Sequence, residues 1–259
     1  MPELIEVERY RQLADATVGR QIARVDASDA WFLKHGATSR QLGSALRGRV
    51  VTGTRRIGKL LLLATDGPVL GLRFGMTGRL LLDGQPAYEK LEYTSMRIEP
   101  GWIRFGLRFD GGGSLGMLDP RRLGGVSLDP DLSALGPDAL SITVGELRRG
   151  LSASRLAVKA WLLDQGRIAG VGNLIADETL WRAGIDPARP ARSLDEAEVT
   201  NLHRTLRSTI RLLTRRGGSH MGDLQVARIR GGSCPRDGAP LLRRTIGGRT
   251  TYSCSRHQT

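Results

Sequence analysis

The sequence predicts an α+β protein with its β part first. Three observations carry this. Between residues 20 and 126 apolar residues recur with a period of two, and beyond residue 143 they recur every three or four. Residues 231–259 hold few core-forming side chains, but they contain both cysteines and a hairpin pattern.

Residues 3–15 read as a short amphipathic helix, with Leu4, Val7 and Leu13 on one side and Glu3, Glu6 and Arg9 elsewhere. Acids in its first turn suit the positive end of a helix dipole. In the β part, Ile103, Phe105, Leu107 and Phe109 alternate with Arg104, Gly106 and Arg108. Asp110-Gly111 supplies a turn, after which Leu115 and Met117 resume the alternation. A second hairpin spans Leu60–Ala64 and Val69–Phe74 around Asp66-Gly67-Pro68. Residues 128–142, rich in Asp, Pro and Ser, read as a linker between an N-terminal domain, 1–127, and a helical domain, 143–230. Thr143 with Glu146, and Ser193 with Glu196, have the spacing of a capping box. Val199, Leu202, Leu206, Ile210 and Leu213 step by three or four along a helix that ends at Gly217-Gly218. The final segment, 231–259, is too small to be held by a core alone and needs a staple.

Composition narrows the function. No apolar run is long enough to span a bilayer, the best (Leu60–Thr65, Val69–Leu72) being strand-sized. The start carries Glu3, Glu6 and Glu8, the wrong charge for a secretory signal. Two cysteines, Cys234 and Cys254, exclude a disulfide scaffold and a four-cysteine metal site. A soluble cytosolic protein is the expectation. The net charge is +13, and residues 201–259 supply +10 of it, with 12 Arg against Asp223 and Asp237. A GC-rich genome accounts for arginine over lysine but not for this clustering, which points to a polyanion, nucleic acid first.

Three motifs bear chemistry. Cys234-Pro-Arg-Asp237 and Cys254-Ser-Arg-His257 are paired knuckles flanking a hairpin of Leu241–Thr245, Gly247-Gly248 and Arg249–Ser253. Cys234, Asp237, Cys254 and His257 together make a tetrahedral zinc set, with Asp237 the weakest ligand, since structural zinc favours sulfur and nitrogen. Two free cysteines are the plainer alternative, less favoured in a segment without a core. Ala169-Gly-Val-Gly-Asn173 runs into a helix start, where backbone N–H groups and the dipole suit a phosphate and Asn173 could cap the helix. Taken alone, that short motif is by default an ordinary interhelical turn. Pro2 follows Met1, whose removal a small second residue permits. The freed proline would be a secondary amine beside Glu3 and Glu6, able to attack an electrophilic sugar carbon. Taken alone, Pro2 is more simply a helix-start proline.

The motifs occur in one order: Pro2-Glu-Leu-Ile-Glu-Val-Glu8, Lys59 after Arg-Arg-Ile-Gly, Gly75-Met-Thr-Gly-Arg79, Asp119-Pro-Arg-Arg-Leu-Gly124, Leu135-Gly-Pro137, Lys159-Ala-Trp-Leu-Leu-Asp-Gln165, Gly170-Val-Gly-Asn173 with Ala176-Asp-Glu178, and the C-terminal knuckles. Along essentially the whole chain this order resembles the formamidopyrimidine-DNA glycosylase/endonuclease VIII family of base-excision repair enzymes. The resemblance implies an N-terminal β-sandwich with a flanking helix, a helix–two-turns–helix domain and a zinc-finger hairpin, with duplex DNA crossing between the two halves. It implies removal of oxidised bases and cleavage at the abasic site by β,δ-elimination, carried out by a monomer in the bacterial cytoplasm, at the nucleoid. Carried over by position, Pro2 is the nucleophile at the sugar C1′, Glu3 protonates the ring oxygen and Glu6 supports them. Lys59 contacts phosphate and assists elimination. Asn173 and Arg249 grip phosphates around the lesion, and Lys159 is a further phosphate contact. Met76 and Arg121, with Leu123, fill the gap left by the extruded nucleotide, extrusion being required because C1′ is shielded in an intact stack.

The chain departs from the family pattern at several positions. Ile5 stands where Pro is usual, Leu123 for Phe, Ile175 for Tyr and Arg73 for His, while Asp237 and His257 replace two zinc cysteines. The stretch from Gly217 to Cys234 is shorter than in members that close a long loop over 8-oxoguanine, so weak or altered selection of that base is expected. These departures also motivate an alternative from another class, a non-catalytic or AP-lyase-only paralogue that binds damaged DNA. Intact Pro2 and Glu3 favour the enzyme.

Overall fold

The computed structural model describes residues 2–88 and 97–259. The chain divides into two compact units, Met1–Leu132 and Ser133–Thr259.

The first unit opens with helix α1 (Leu4–Asp15), then strand β1 (Ile22–Asp26), helix α2 (Ser39–Leu46) and strands β2 (Val51–Ile57), β3 (Leu60–Thr65), β4 (Leu70–Arg73), β5 (Arg79–Leu82), β6 (Gln85–Pro86), β7 (Ile103–Phe109), β8 (Ser114–Leu118) and β9 (Gly125–Leu128). One sheet has the order β1-β7-β8-β5-β6 and the other β2-β3-β4-β9. Their inner faces share one core, in which Leu61, Leu63, Leu70 and Leu72 meet Leu80, Phe105, Leu107, Leu115 and Met117. This is the expected sandwich, with α1 flanking it through buried Val7, Tyr10 and Ala14. Both expected hairpins form, β3 antiparallel to β4 and β7 antiparallel to β8. The alternation in β7 buries Phe105, Leu107 and Phe109 but leaves Ile103 exposed.

Helix α2 interrupts a stretch read from periodicity as β. Thr38 caps it, its hydroxyl accepting from the Gln41 N–H while the Gln41 side chain accepts from the Thr38 N–H. Leu42 and Leu46, four apart, bury on the core side. A capping-box signature and an i,i+4 apolar pair were therefore readable there.

The second unit holds helices α3 (Val144–Ser152), α4 (Val158–Leu163), α5 (Asn173–Ala183) and α6 (Glu196–Arg216), then strands β10 (Leu241–Ile246) and β11 (Arg249–Cys254), which pair antiparallel. Thr143 and Glu146 form the expected capping box at α3. At α6 the box is Asp195 with Glu198, two residues beyond the expected Ser193 and Glu196, because Ala191–Ser193 winds a 3₁₀ turn. All five of the expected apolar residues of α6 are buried, and Gly217 ends it at φ 98°. The expected linker is not wholly free. Ala139 and Ile142 are buried, and the Ala139 N–H donates to the Ala169 carbonyl within the second unit. Gly247 and Gly248 turn the C-terminal hairpin with φ 59° and 70°, the left-handed pair that a tight two-residue turn requires.

Candidate functional site

In the first unit, the start of α1 is fixed by its own acids. Glu3 and Glu6 form a capping box, in which the Glu3 N–H donates to Glu6 Oε2 at 2.8 Å. Pro2, Glu3 and Glu6 are all buried, so the segment just before the helix is held rather than frayed. Met1 lies outside the described residues. Two tyrosines tie the helix down, Tyr88 Oη donating to the Ile5 carbonyl and Tyr10 Oη to the Gly78 carbonyl, both at 3.2 Å. Burial, with Glu6 next, pushes the Tyr10 phenol well above its ordinary pKa, so it stays a donor.

Lys59 sits in the two-residue turn between β2 and β3, after Gly58 at φ 56°. Arg56 braces that turn, its Nη1 donating to the Gly58 carbonyl at 2.8 Å and its Nε pairing with Glu8 of α1 at 3.2 Å. The lysine turn and the acid-bearing helix are thereby joined through one guanidinium.

Met76, Arg121 and Leu123 lie on two loops that pack together. A Cβ on Gly75 would come within 2.4 Å of the Leu123 carbonyl carbon, so only glycine permits this approach. Asp119, fully buried, binds both loops. Its Oδ1 accepts from Thr77 Oγ1 at 2.6 Å and from the Arg121 N–H at 3.2 Å, and its Oδ2 accepts from the Gly124 N–H at 2.8 Å. Arg121 is exposed, and Leu123 is 48% exposed. Arg122, at φ 55°, turns away and grips Asp29 with two guanidinium nitrogens at 2.6 and 2.8 Å.

In the second unit, Gly172 caps α5 and Asn173 is its first helical residue, not the cap that was expected. Its side chain crosses to the hairpin instead, Nδ2 donating to the Thr250 carbonyl at 3.2 Å. This brings Asn173 beside Arg249, which begins β11 and is exposed.

Lys159, expected as a further phosphate contact, is wholly buried, with Nζ 2.6 Å from Asp177 Oδ1 and donating to Thr251 Oγ1 at 2.6 Å and the Thr250 carbonyl at 3.3 Å. Asp177 also meets Arg228 at 3.0 Å. The ammonium is thus committed to a buried carboxylate and to the strand next to Arg249, where removal from water would be untenable without those partners.

The four expected ligands converge. One donor atom each from Cys234, Asp237, Cys254 and His257 lies within 4.8 Å of the others. His257 Nδ1 is 2.9 Å from Asp237 Oδ2 and 3.7 Å from Cys234 Sγ, and Cys254 Sγ is 3.3 Å from Asp237 Oδ2. Ligands around a tetrahedral ion stand about 3.3–3.8 Å apart, so the set fits a metal. The surrounding groups fit as well. With Nε2–H of His257 donating to the Trp181 carbonyl at 3.2 Å, Nδ1 is the free lone pair. Trp181 Nε1–H points at Cys234 Sγ at 3.3 Å. The Ala239 N–H holds the Asp237 carboxyl well below its usual range, so it is an anion there.

Sequence reasoning missed Asp119, Asp29, Asp177 and Glu178 as organisers. Asp119 opens an Asp-Pro turn, a signature of side-chain-to-backbone bonding that was available. Glu178, buried on α5, accepts from the N–H groups of Asp223 and Leu224 at 3.1 and 2.9 Å and so fixes a loop 45 residues away, which no local pattern reveals.

Family models match both units. Residues 1–126 match the formamidopyrimidine-DNA glycosylase N-terminal domain, and residues 135–223 match the helix–two-turns–helix domain of the same enzymes. With those matches, the two-sheet unit, the helical unit and the hairpin with its Cys/Asp/His cluster define a DNA glycosylase of the helix–two-turns–helix class. A formamidopyrimidine-DNA glycosylase of Symbiobacterium thermophilum is 34% identical over 283 residues, covering 100% of this chain and 89% of that one. One of Arabidopsis thaliana is 34% identical over 225 residues, covering 81% of this chain but only 57% of that longer protein. The Lactococcus lactis enzyme, solved non-covalently bound to DNA containing an AP site, superposes with TM-score 0.84 at 26% identity over 100% of both chains. This chain belongs to the formamidopyrimidine-DNA glycosylase family.

Proposed function

We propose that this chain is a base-excision repair enzyme that removes oxidised bases from duplex DNA and cleaves the resulting abasic site. The observation that carries the reading is the capped, buried start of α1, which holds a proline and two carboxylates at one point in a chain that matches the family along its length. With Met1 removed, the Pro2 nitrogen is a secondary amine whose lone pair attacks C1′. The C1′–base bond breaks, its electron pair leaving with the protonated base. Glu3 delivers a proton to the ring oxygen as the sugar opens, leaving an iminium on Pro2. Loss of the C2′ proton then expels the 3′-phosphate, a second elimination expels the 5′-phosphate, and water releases Pro2. Glu6 anchors the Glu3 backbone in this scheme. Lys59 and Arg249 hold phosphates and assist elimination, and Asn173 supports the same grip. Met76, Arg121 and Leu123 fill the vacated stack. Cys234, Asp237, Cys254 and His257 hold one structural zinc ion, which stiffens the hairpin carrying Arg249 and takes no part in the chemistry.

The working domains are 1–127, 143–230 and 231–259, joined through 128–142, in a monomer acting in the bacterial cytoplasm. Among the described residues no helix is long and apolar enough to cross a membrane.

Borohydride reduction on duplex DNA bearing an abasic site or an oxidised base tests the reading. A covalent product from the Met1-processed protein, abolished by Pro2→Gly, is expected. Lys59→Ala should chiefly impair strand cleavage and the processing of some lesions. Salt-sensitive binding to abasic DNA with neither trapping nor nicking would establish the non-catalytic binder instead.

A further inference from the structure

The largest exposed aromatic side chain among the described residues is Trp31, 68% accessible, in the 3₁₀ turn Ala30–Phe32. An indole so placed forgoes most of the burial that ordinarily justifies it. Its surroundings are built. Asp29 caps the turn, Oδ1 accepting from the Trp31 N–H at 3.2 Å. Lys34 steadies the ring, Nζ donating to the Trp31 carbonyl at 2.7 Å and lying 5.3 Å from the ring centroid.

This turn is stitched to the loop that carries Arg121 and Leu123. The Asp29 that caps it is the acceptor for both nitrogens of Arg122 and also faces Arg104 at 3.9 Å. The Lys34 N–H donates to the Val126 carbonyl at 2.9 Å, and Leu33 and Val126 form a parallel bridge. A Cβ on Gly124 would meet the Phe32 ring at 3.2 Å, and one on Gly125 would meet the Lys34 side chain. Residues 29–34 therefore run alongside 122–126 and present Trp31 and Leu123, both exposed, from neighbouring segments. The local charge, from Lys34, Arg104, Arg121 and Arg122 against Asp29, is positive.

From this juxtaposition we propose that Trp31 is a DNA-stacking residue, taking the face of a base displaced when the Arg121–Leu123 loop enters the duplex. An aromatic face beside cationic side chains is the combination that binds unstacked bases regardless of sequence. Lys34 and Asp29 are positioning residues for the ring. The inference rests on the damaged-DNA reading above and adds a contact to it.

Affinity for a duplex with a stable tetrahydrofuran abasic analogue, compared with the same duplex undamaged, tests it in the full-length protein. Trp31→Ala should weaken binding to the abasic duplex by about 5- to 150-fold, the span of one lost base–aromatic stack. Undamaged duplex, with no displaced base, should change less than about twofold, and Trp31→Phe should restore most of the loss. The part of the tryptophan emission lost in Trp31→Phe should be the part quenched by abasic DNA. Trp31→Gln replaces the alanine variant should the latter not fold. Abasic-duplex affinity unchanged within twofold, or an equal loss on both duplexes, would overturn the stacking role. A parent protein that neither binds abasic duplex nor traps on it would instead overturn the functional reading, whatever Trp31 does.

Discussion

Replacing Asp119 by alanine should loosen the two loops that bear Met76, Arg121 and Leu123. The carboxylate accepts three hydrogen bonds, from Thr77 Oγ1 and from the Arg121 and Gly124 N–H groups. The Arg121 amide lies next to an exposed side chain and regains water cheaply. Thr77 and Gly124 are buried, and each loses a charged acceptor worth about 1.5–3 kcal/mol. The expected cost is therefore about 3–6 kcal/mol, a large share of the roughly 5–15 kcal/mol of a whole domain. At about 2–4 °C per kcal/mol for a protein of this size, Tm should fall by about 6–24 °C, read by circular dichroism. Asp119→Asn should fall between, because its amide keeps an acceptor for Thr77 but turns a donor toward the Gly124 N–H. Combined with Thr77→Val, Asp119→Ala should show a coupling of about 1–3 kcal/mol. A Tm for Asp119→Ala within about 2 °C of the parent would refute the idea that this carboxylate holds the loops.

Three further outcomes are expected. Arg122 holds the Asp29 carboxyl below its usual value of 3.8, so the pair stabilises the fold at neutral pH and that contribution disappears as pH falls through the lowered pKa. The Tm difference between the parent and Asp29→Asn should accordingly persist at pH 5–7 (about neutral) and vanish in stronger acid, and a difference independent of pH would exclude the pair as its source. Elemental analysis should find one zinc per chain, lost in Cys254→Ser, with chelation unravelling the hairpin; an ordered hairpin without metal would leave packing around Trp181 as its staple. Lys159→Met should cost about 3 kcal/mol, the low end for a broken buried pair because Arg228 still faces Asp177, yet leave the salt slope of DNA binding unchanged. A slope reduced by about one would put the ammonium back on a phosphate.

The elements legible in the sequence were those whose periodicity comes from a half-buried surface. The alternation through Phe105, Leu107 and Phe109 and the three-four stepping through Leu202, Leu206 and Ile210 each record a single buried face. The C-terminal hairpin and the convergence of Cys234, Asp237, Cys254 and His257 were legible because a glycine pair and two knuckles are local signals. Helix α2 left only a short local signal, the Thr38–Gln41 box and the Leu42–Leu46 pair, within eight residues of a stretch dominated by a period of two. The burial of Lys159 could not be read at all, since its partners Asp177, Arg228 and Thr251 are distant in sequence and a lysine alone reads as a surface charge. The role of Asp119 was half legible: its Asp-Pro turn is local, but its bond to Thr77 spans 42 residues.

The bonding of the Met76 turn to the Arg121–Leu123 loop has a kinetic consequence for a protein that must inspect many intact base pairs for each damaged one. Loops that were separately mobile would each have to be ordered at every encounter, an entropic toll repeated along the whole duplex. Here the Gly75 contact and the Asp119 bonds order both loops when the chain folds. Under the proposal that these loops enter the duplex, what differs from one base pair to the next is mainly the ease of opening the DNA itself, and a weakened pair would be sensed by a rigid probe through its own deformability.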